Sequence, residues 1–144
     1  MPIQSAIIDH VVFIRWGIQA VAADLDAFDD IMSHGRKDVE RPLFHVALLP
    51  TGIEMPPVSI QKPLIKRVLR LRASCQSMHC VLEGNGIKEK LGRRFLNGMV
   101  KMFGLKDQAY VHATVQEALG LLDGKLGMPV AEVEKQAREK GLLG

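Results

Sequence analysis

Aromatic side chains are scarce in this chain, with five phenylalanines, one tryptophan and one tyrosine among 144 residues. So few rings leave little to interleave with cations, which disfavours the stacking platforms that hold single-stranded nucleic acid. The only cysteines are Cys75 and Cys80, too few for the disulfide framework of a small secreted domain. No apolar run approaches the roughly 18–20 residues of a membrane span, and Met1-Pro2-Ile3-Gln4 does not open a signal peptide. Cytoplasmic residence is therefore expected. The net charge is only +3 and by itself points to no polyanionic partner. Nucleophile-elbow, Walker-type and dinucleotide fingerprints are also missing. What is present, 47% apolar and 24% charged residues, is the composition of one globular domain.

The small net charge hides a segregation. Residues 1–60 carry four basic and eight acidic side chains, residues 61–106 eleven and two, and residues 107–144 four and six. The cations of the middle third fall on two helical stretches, which carry Lys62, Lys66, Arg67, Arg70 and Arg72, then Lys88, Lys90, Arg93, Arg94 and Lys101. If consecutive crossover helices lie side by side, these form one basic surface. That surface suits an acidic protein partner better than nucleic acid, while solvated helix faces account for the charges equally well.

Apolar periodicity divides the chain into alternating elements. Asp9–Gly17 reads as a strand, preceded by a hairpin partner over Ser5–Ile8. Val21, Leu25, Phe28, Ile31 and Met32 predict an acidic-faced helix over about 19–33, stopped by Gly35 with Arg36 and Lys37 nearby. Leu43–Leu49 is nearly all apolar, as a buried parallel strand requires. Pro50 to Pro63 lacks a period and reads as a loop, with Pro63 opening the next helix. Met78–Leu82, Ile87–Phe103 and Gln108–Ala113 continue as strand, helix and strand. Thr114 caps the following helix, with Glu117 completing a capping box. The expected fold is α/β, with a mostly parallel four- to five-stranded sheet and crossover helices over residues 1–123. Residues 124–144 read as a C-terminal helical extension whose narrow apolar stripe, Val130, Val133 and Ala137, suggests loose packing on the domain or on a second copy.

This element order, with an acidic first helix and the closing phrase Tyr110-Val111-His112-Ala113-Thr114-Val115-Gln116-Glu117-Ala118-Leu119, resembles the STAS family, especially its divergent SpoIIAA-like branch. The resemblance covers roughly residues 5–123. It implies a non-enzymatic module in cytoplasmic signalling or scaffolding that binds a protein partner; a homodimer is a separate expectation. In the divergent branch it implies, as the alternative, a carrier or sensor of a small apolar or lipid-like ligand beneath the 50–63 loop. Met55, Pro57, Val58, Ser59 and Ile60 are the loop residues expected to meet that ligand or partner. The family's Asp-Ser-x-Gly phosphorylation signature is missing, which leaves Ser59 or Thr51 as the candidate acceptor. Lys62, Lys66, Arg67, Arg70, Arg93 and Arg94 form the expected basic interaction surface.

Three further constellations carry less. Cys75, His79 and Cys80 lie within six residues, but neighbouring strand positions face opposite sides, so no metal site is expected. His10, His45 and His112 all fall in strands, where one or two can reach a cleft. Gly84-Asn85-Gly86 opens a helix as phosphate-binding loops do, yet a tight turn accounts for it and no cofactor is expected.

Overall fold

The computed structural model describes residues 3–38 and 42–143, the side chains of residues 36–38 excepted. Five strands form one sheet in the order β1 (Gln4–Ile8), β2 (Val11–Arg15), β3 (Leu43–Leu49), β4 (Cys75–Leu82) and β5 (Ala109–His112). The first pair is an antiparallel hairpin; the other three pairings are parallel. The hairpin turn places Asp9 at φ 55, a conformation that asparagine and aspartate tolerate better than most residues. The expected α/β architecture is thus present, with β1 as the antiparallel edge strand.

Helices cover both faces. On one lie α1 (Ala22–Asp38), α2 (Val58–Arg70), a single 3-10 turn (Leu71–Ala73) and α3 (Ile87–Met102); on the other lie α4 (Val115–Leu122) and α5 (Val130–Glu139). Strand parity sorts the core accordingly. Phe13, Phe44, Val46, Leu48 and Val81 point to α4 and α5. Val12, Ile14, Trp16, Leu43 and Met78 point to the α1–α3 side.

Three local expectations are corrected. Gly35 does not stop α1, which continues to Asp38. Instead a methyl group there would come within 3.2 Å of Leu43 and 3.3 Å of Val12, so the glycine lets the helix approach the sheet. The Arg36 and Lys37 side chains lie outside the described residues. Helix α2 begins at Val58, with Pro57 as its N-cap, so Pro63 lies inside the helix and not at its start. The Pro57 carbonyl accepts from the backbone N–H groups of Ile60 and Gln61, and the Gln61 side chain donates to the Pro56 carbonyl at 2.6 Å. These bonds start the helix five residues early. Strand β4 begins at Cys75, just after the 3-10 turn and three residues before the expected Met78.

The C-terminal segment is part of the core. Val133, Ala137 and Leu142 are sealed from solvent in the same cluster as Phe13 and Phe44. Gly127 N–H donates to the Asp9 carboxylate at 2.9 Å and Arg15 to the Leu142 carbonyl at 3.0 Å. A narrow stripe suffices because small Ala137 permits close helix–sheet contact, so the expected loose packing does not occur. The Thr114 cap forms as expected: its hydroxyl accepts from Glu117 N–H at 3.2 Å, and the Glu117 carboxylate accepts from Ala113 N–H at 3.1 Å. No helix among the described residues is long and apolar enough to cross a membrane.

Candidate functional site: an apolar cleft between α2 and α3

Helix α3 is apolar along one side yet contains no buried residue. Phe95 is 53% exposed and Leu91 is 57% exposed. The reason is visible at the helix ends. At the start, a methyl group on Gly92 would meet Leu82 at 2.7 Å, and Arg93 donates to the carbonyls of Leu82 at 2.6 Å and Gly84 at 2.9 Å. At the end, the chain turns at Gly104 (φ 68) and buries Leu105, while Arg72 donates to the Phe103 carbonyl. The helix is thus fixed at both ends and spans a gap over β4 and β5.

The gap is a cavity of about 630 Å³, inside the range of roughly 300–1,000 Å³ usual for small-molecule sites. Its floor has small side chains where strands pair, Ala47 beside Cys80 and Ala109 beside Met78. Leu64 and Val68 of α2 form one wall, and Phe95 and Met99 of α3 the other. At the deep end lie Trp16, Phe28 and His45, all buried; at the mouth lies Met55, 67% exposed. The lid segment is tied to the β2–α1 connection: Glu54 N–H donates to the Ile18 carbonyl at 2.8 Å, and Gln19 donates to the Glu54 carboxylate at 2.8 Å.

Polar groups in this lining are few. Burial holds the His45 imidazole down to about 4, the Val12 carbonyl acting the other way, so the ring is neutral near pH 7. Its Nδ1 makes no hydrogen bond among the described residues, and the ring meets Phe28 edge-on with centroids 5.9 Å apart. Burial pushes the Cys80 thiol up to about 12, which makes it an inert wall group.

The residues expected at the loop separate. Met55 lines the cavity; Ile60 is buried in α2; Pro57, Val58 and Ser59 are exposed and lie outside the lining. Ser59 sits in the first turn of α2 rather than ahead of it, and the Thr51 hydroxyl donates to the Glu83 carbonyl at 3.2 Å. The basic set separates as well. Arg67 grips the Asp29 carboxylate of α1 at 3.0 and 3.1 Å, and Arg93 holds strand carbonyls, so neither is a free surface cation. Lys62, Lys66, Arg70 and Arg94 are exposed. The helix start after Gly86 is taken by the chain itself: a methyl group there would lie 2.9 Å from the Glu89 carboxylate.

Of the three strand histidines expected near a cleft, His45 lines the cavity and His10 and His112 do not, His10 being buried beside the hairpin turn. On the α4 face, Ser77 Oγ lies 2.8 Å from His79 Nε2, and His79 Nδ1 lies 3.0 Å from His112 Nε2. His112 Nδ1 faces the Glu117 carboxylate at 3.9 Å, and Tyr110 stacks on His79. His79 therefore turns away from Cys80, and among the described residues no three His, Cys, Asp or Glu side chains converge as a metal site. Residue spacing did not point to this linked pair, because seeing it needs the β4–β5 register that sets His79 beside Tyr110 and Val81 beside His112. Comparison with known proteins found no matching family model, no matching curated protein and no matching solved structure.

Proposed function

We propose that this protein acts by binding, without catalysis, and that it carries or senses a small apolar ligand in the cleft between α2 and α3. The observation that carries this reading is the bridged helix, whose Leu91 and Phe95 stay more than half exposed over an apolar cavity of about 630 Å³. Each methylene that a ligand removes from water there contributes about 0.8 kcal/mol, so a single alkyl chain offsets the entropy cost of association. The kinship with STAS domains belongs to the same proposal, supported by the strand–helix alternation and the capped helix after β5. A role as a protein-interaction module draws on exposed Ile87 and Met102, which lie outside the cavity lining.

The test uses N-phenyl-1-naphthylamine, an uncharged probe that fluoresces in apolar sites. The native chain is expected to bind it saturably at one site, and the double variant Leu91→Gln, Phe95→Gln to lose at least tenfold in affinity while melting within a few degrees of native. Folded native protein with no saturable signal would refute the reading.

A further inference from the structure

We infer that the cleft takes an uncharged, elongated apolar molecule ending in a hydroxyl, and that His45 at its deep end bonds that hydroxyl. This rests on the cleft being a ligand site, and it names the class of ligand.

A neutral imidazole offers one N–H donor and one lone-pair acceptor. His45 lies on β3 with only 6% of its surface exposed, among Trp16, Phe28 and Met78, and it lines the cavity. No side chain among the described residues bonds it; Nδ1 is sealed from the cavity, and the Val12 backbone carbonyl is the group that acts on the ring as a hydrogen-bond partner. That leaves Nε2 as the ring atom open to a group in the cavity, and because buried polar atoms are almost always bonded, a ligand group there completes the set. Leucine or phenylalanine would line the same wall without bringing a polar atom to it. The edge-on contact with Phe28 restricts the ring, so its orientation is set before any ligand arrives.

The charge of the lining selects among polar groups. Lys88 is the one cation among the described lining residues, and it is exposed; Glu54 and Glu89 are the carboxylates. A carboxylate carried to His45 would be buried beside a neutral ring with no cation in reach, at a large desolvation cost. An ammonium there would likewise lack a counter-charge. A hydroxyl both donates and accepts, so it satisfies either tautomer of the ring.

The experiment displaces N-phenyl-1-naphthylamine with 1-dodecanol, its methyl ether and dodecanoate at pH 7.5, using the native chain, His45→Phe and His45→Gln. In the native chain 1-dodecanol is expected to compete more strongly than dodecanoate. His45→Phe should weaken 1-dodecanol roughly tenfold, the size of one net hydrogen bond, and change the ether less than twofold. His45→Gln, which keeps a donor and an acceptor, should retain most of the alcohol affinity. On native protein, 1-dodecanol but not the ether should shift the His45 ring 15N resonances, a readout that does not depend on either variant folding. Equal loss for alcohol and ether, unshifted ring resonances, or dodecanoate binding as tightly as the alcohol overturns the assignment while leaving the cleft a ligand site. If the probe binds nowhere saturably, the cleft reading and the assignment fail together.

Discussion

Acid should unfold this protein through its buried histidines before its carboxylates titrate. His45 and His79 are each held down to about 4 from an ordinary 6.5. Burial is the main cause for both, and His79 is further disfavoured as a cation by His112, His45 and Lys125. A folded-state value below the unfolded one means that, between pH 6.5 and 4, the unfolded chain binds protons that the folded chain refuses. Stability is therefore full above about pH 6.5 and is lost as pH falls towards 4. Each group removes about 1.4 kcal/mol per pH unit across that window, so the pair removes about 4 kcal/mol by pH 5. That is a large share of the roughly 5–15 kcal/mol of a typical domain. The 3.0 Å contact of His79 Nδ1 with His112 Nε2 sharpens the effect, because two imidazolium rings would set N–H against N–H. Urea unfolding followed by circular dichroism at pH 7.5, 6 and 5 reads the loss directly. With a slope of about 2 kcal/mol per molar urea, the midpoint should fall by about 2 M, and in His45→Phe by about half as much. A midpoint that stays constant from pH 7.5 to 5 would show that these rings accept protons in place, and the reasoning would fail.

The remaining predictions concern the two faces of the sheet. Ending the chain at Asp123 removes Val133, Ala137 and Leu142 from the core and should abolish cooperative unfolding, while Val133→Ala alone should cost about 2 kcal/mol; a truncated chain that melts like the native one would contradict this packing. Arg93→Ala strips the charged donor from two carbonyls and should cost about 2–3 kcal/mol in urea titration, whereas exposed Arg94→Ala should stay within about 0.5 kcal/mol. Equal effects at the two neighbours would remove the bridging role given to Arg93.

Element order was legible because strand and helix periods differ, and the buried strand β3 announced itself by a continuous apolar run. The family resemblance implied, as its alternative, an apolar ligand beneath the 50–63 segment; of the loop residues named for it, Met55 lines the cleft and Pro57, Val58, Ser59 and Ile60 do not. Periodicity shows which side of a helix is apolar but not what covers it. The apolar stripe of α3 therefore gives no sign that its middle covers a cavity. Arg93 and Arg94 are chemically alike in a sequence; only the position of the β4 carbonyls distinguishes a clamp from a solvated charge. Gly35 and Pro63 carried the local meanings of stop and start; the first was overridden by packing against the sheet and the second by an earlier set of start bonds at Pro56 and Pro57. The signal that could have revealed the cleft is the set of small residues inside strands, Ala47, Cys80 and Ala109, facing a helix with bulky apolar positions.

A magnitude argues that this cleft is not a packing fault. A sealed, empty cavity costs about 24 cal/mol per Å³, so a void of about 630 Å³ would cost about 15 kcal/mol, as much as a whole domain's stability. The chain avoids that cost by leaving the mouth open beside Met55 and Leu91, so water or a ligand fills the space. Its stability is then drawn from elsewhere: from the α4–α5 face, where Val133 and Ala137 are sealed, and from the fixed ends of α3. A ligand that binds only the folded cleft adds to this, by about 2.7 kcal/mol at a hundred times its dissociation constant. The division explains how mutations at the mouth can abolish binding and leave the fold intact, since the residues that touch the ligand are those the core does not use.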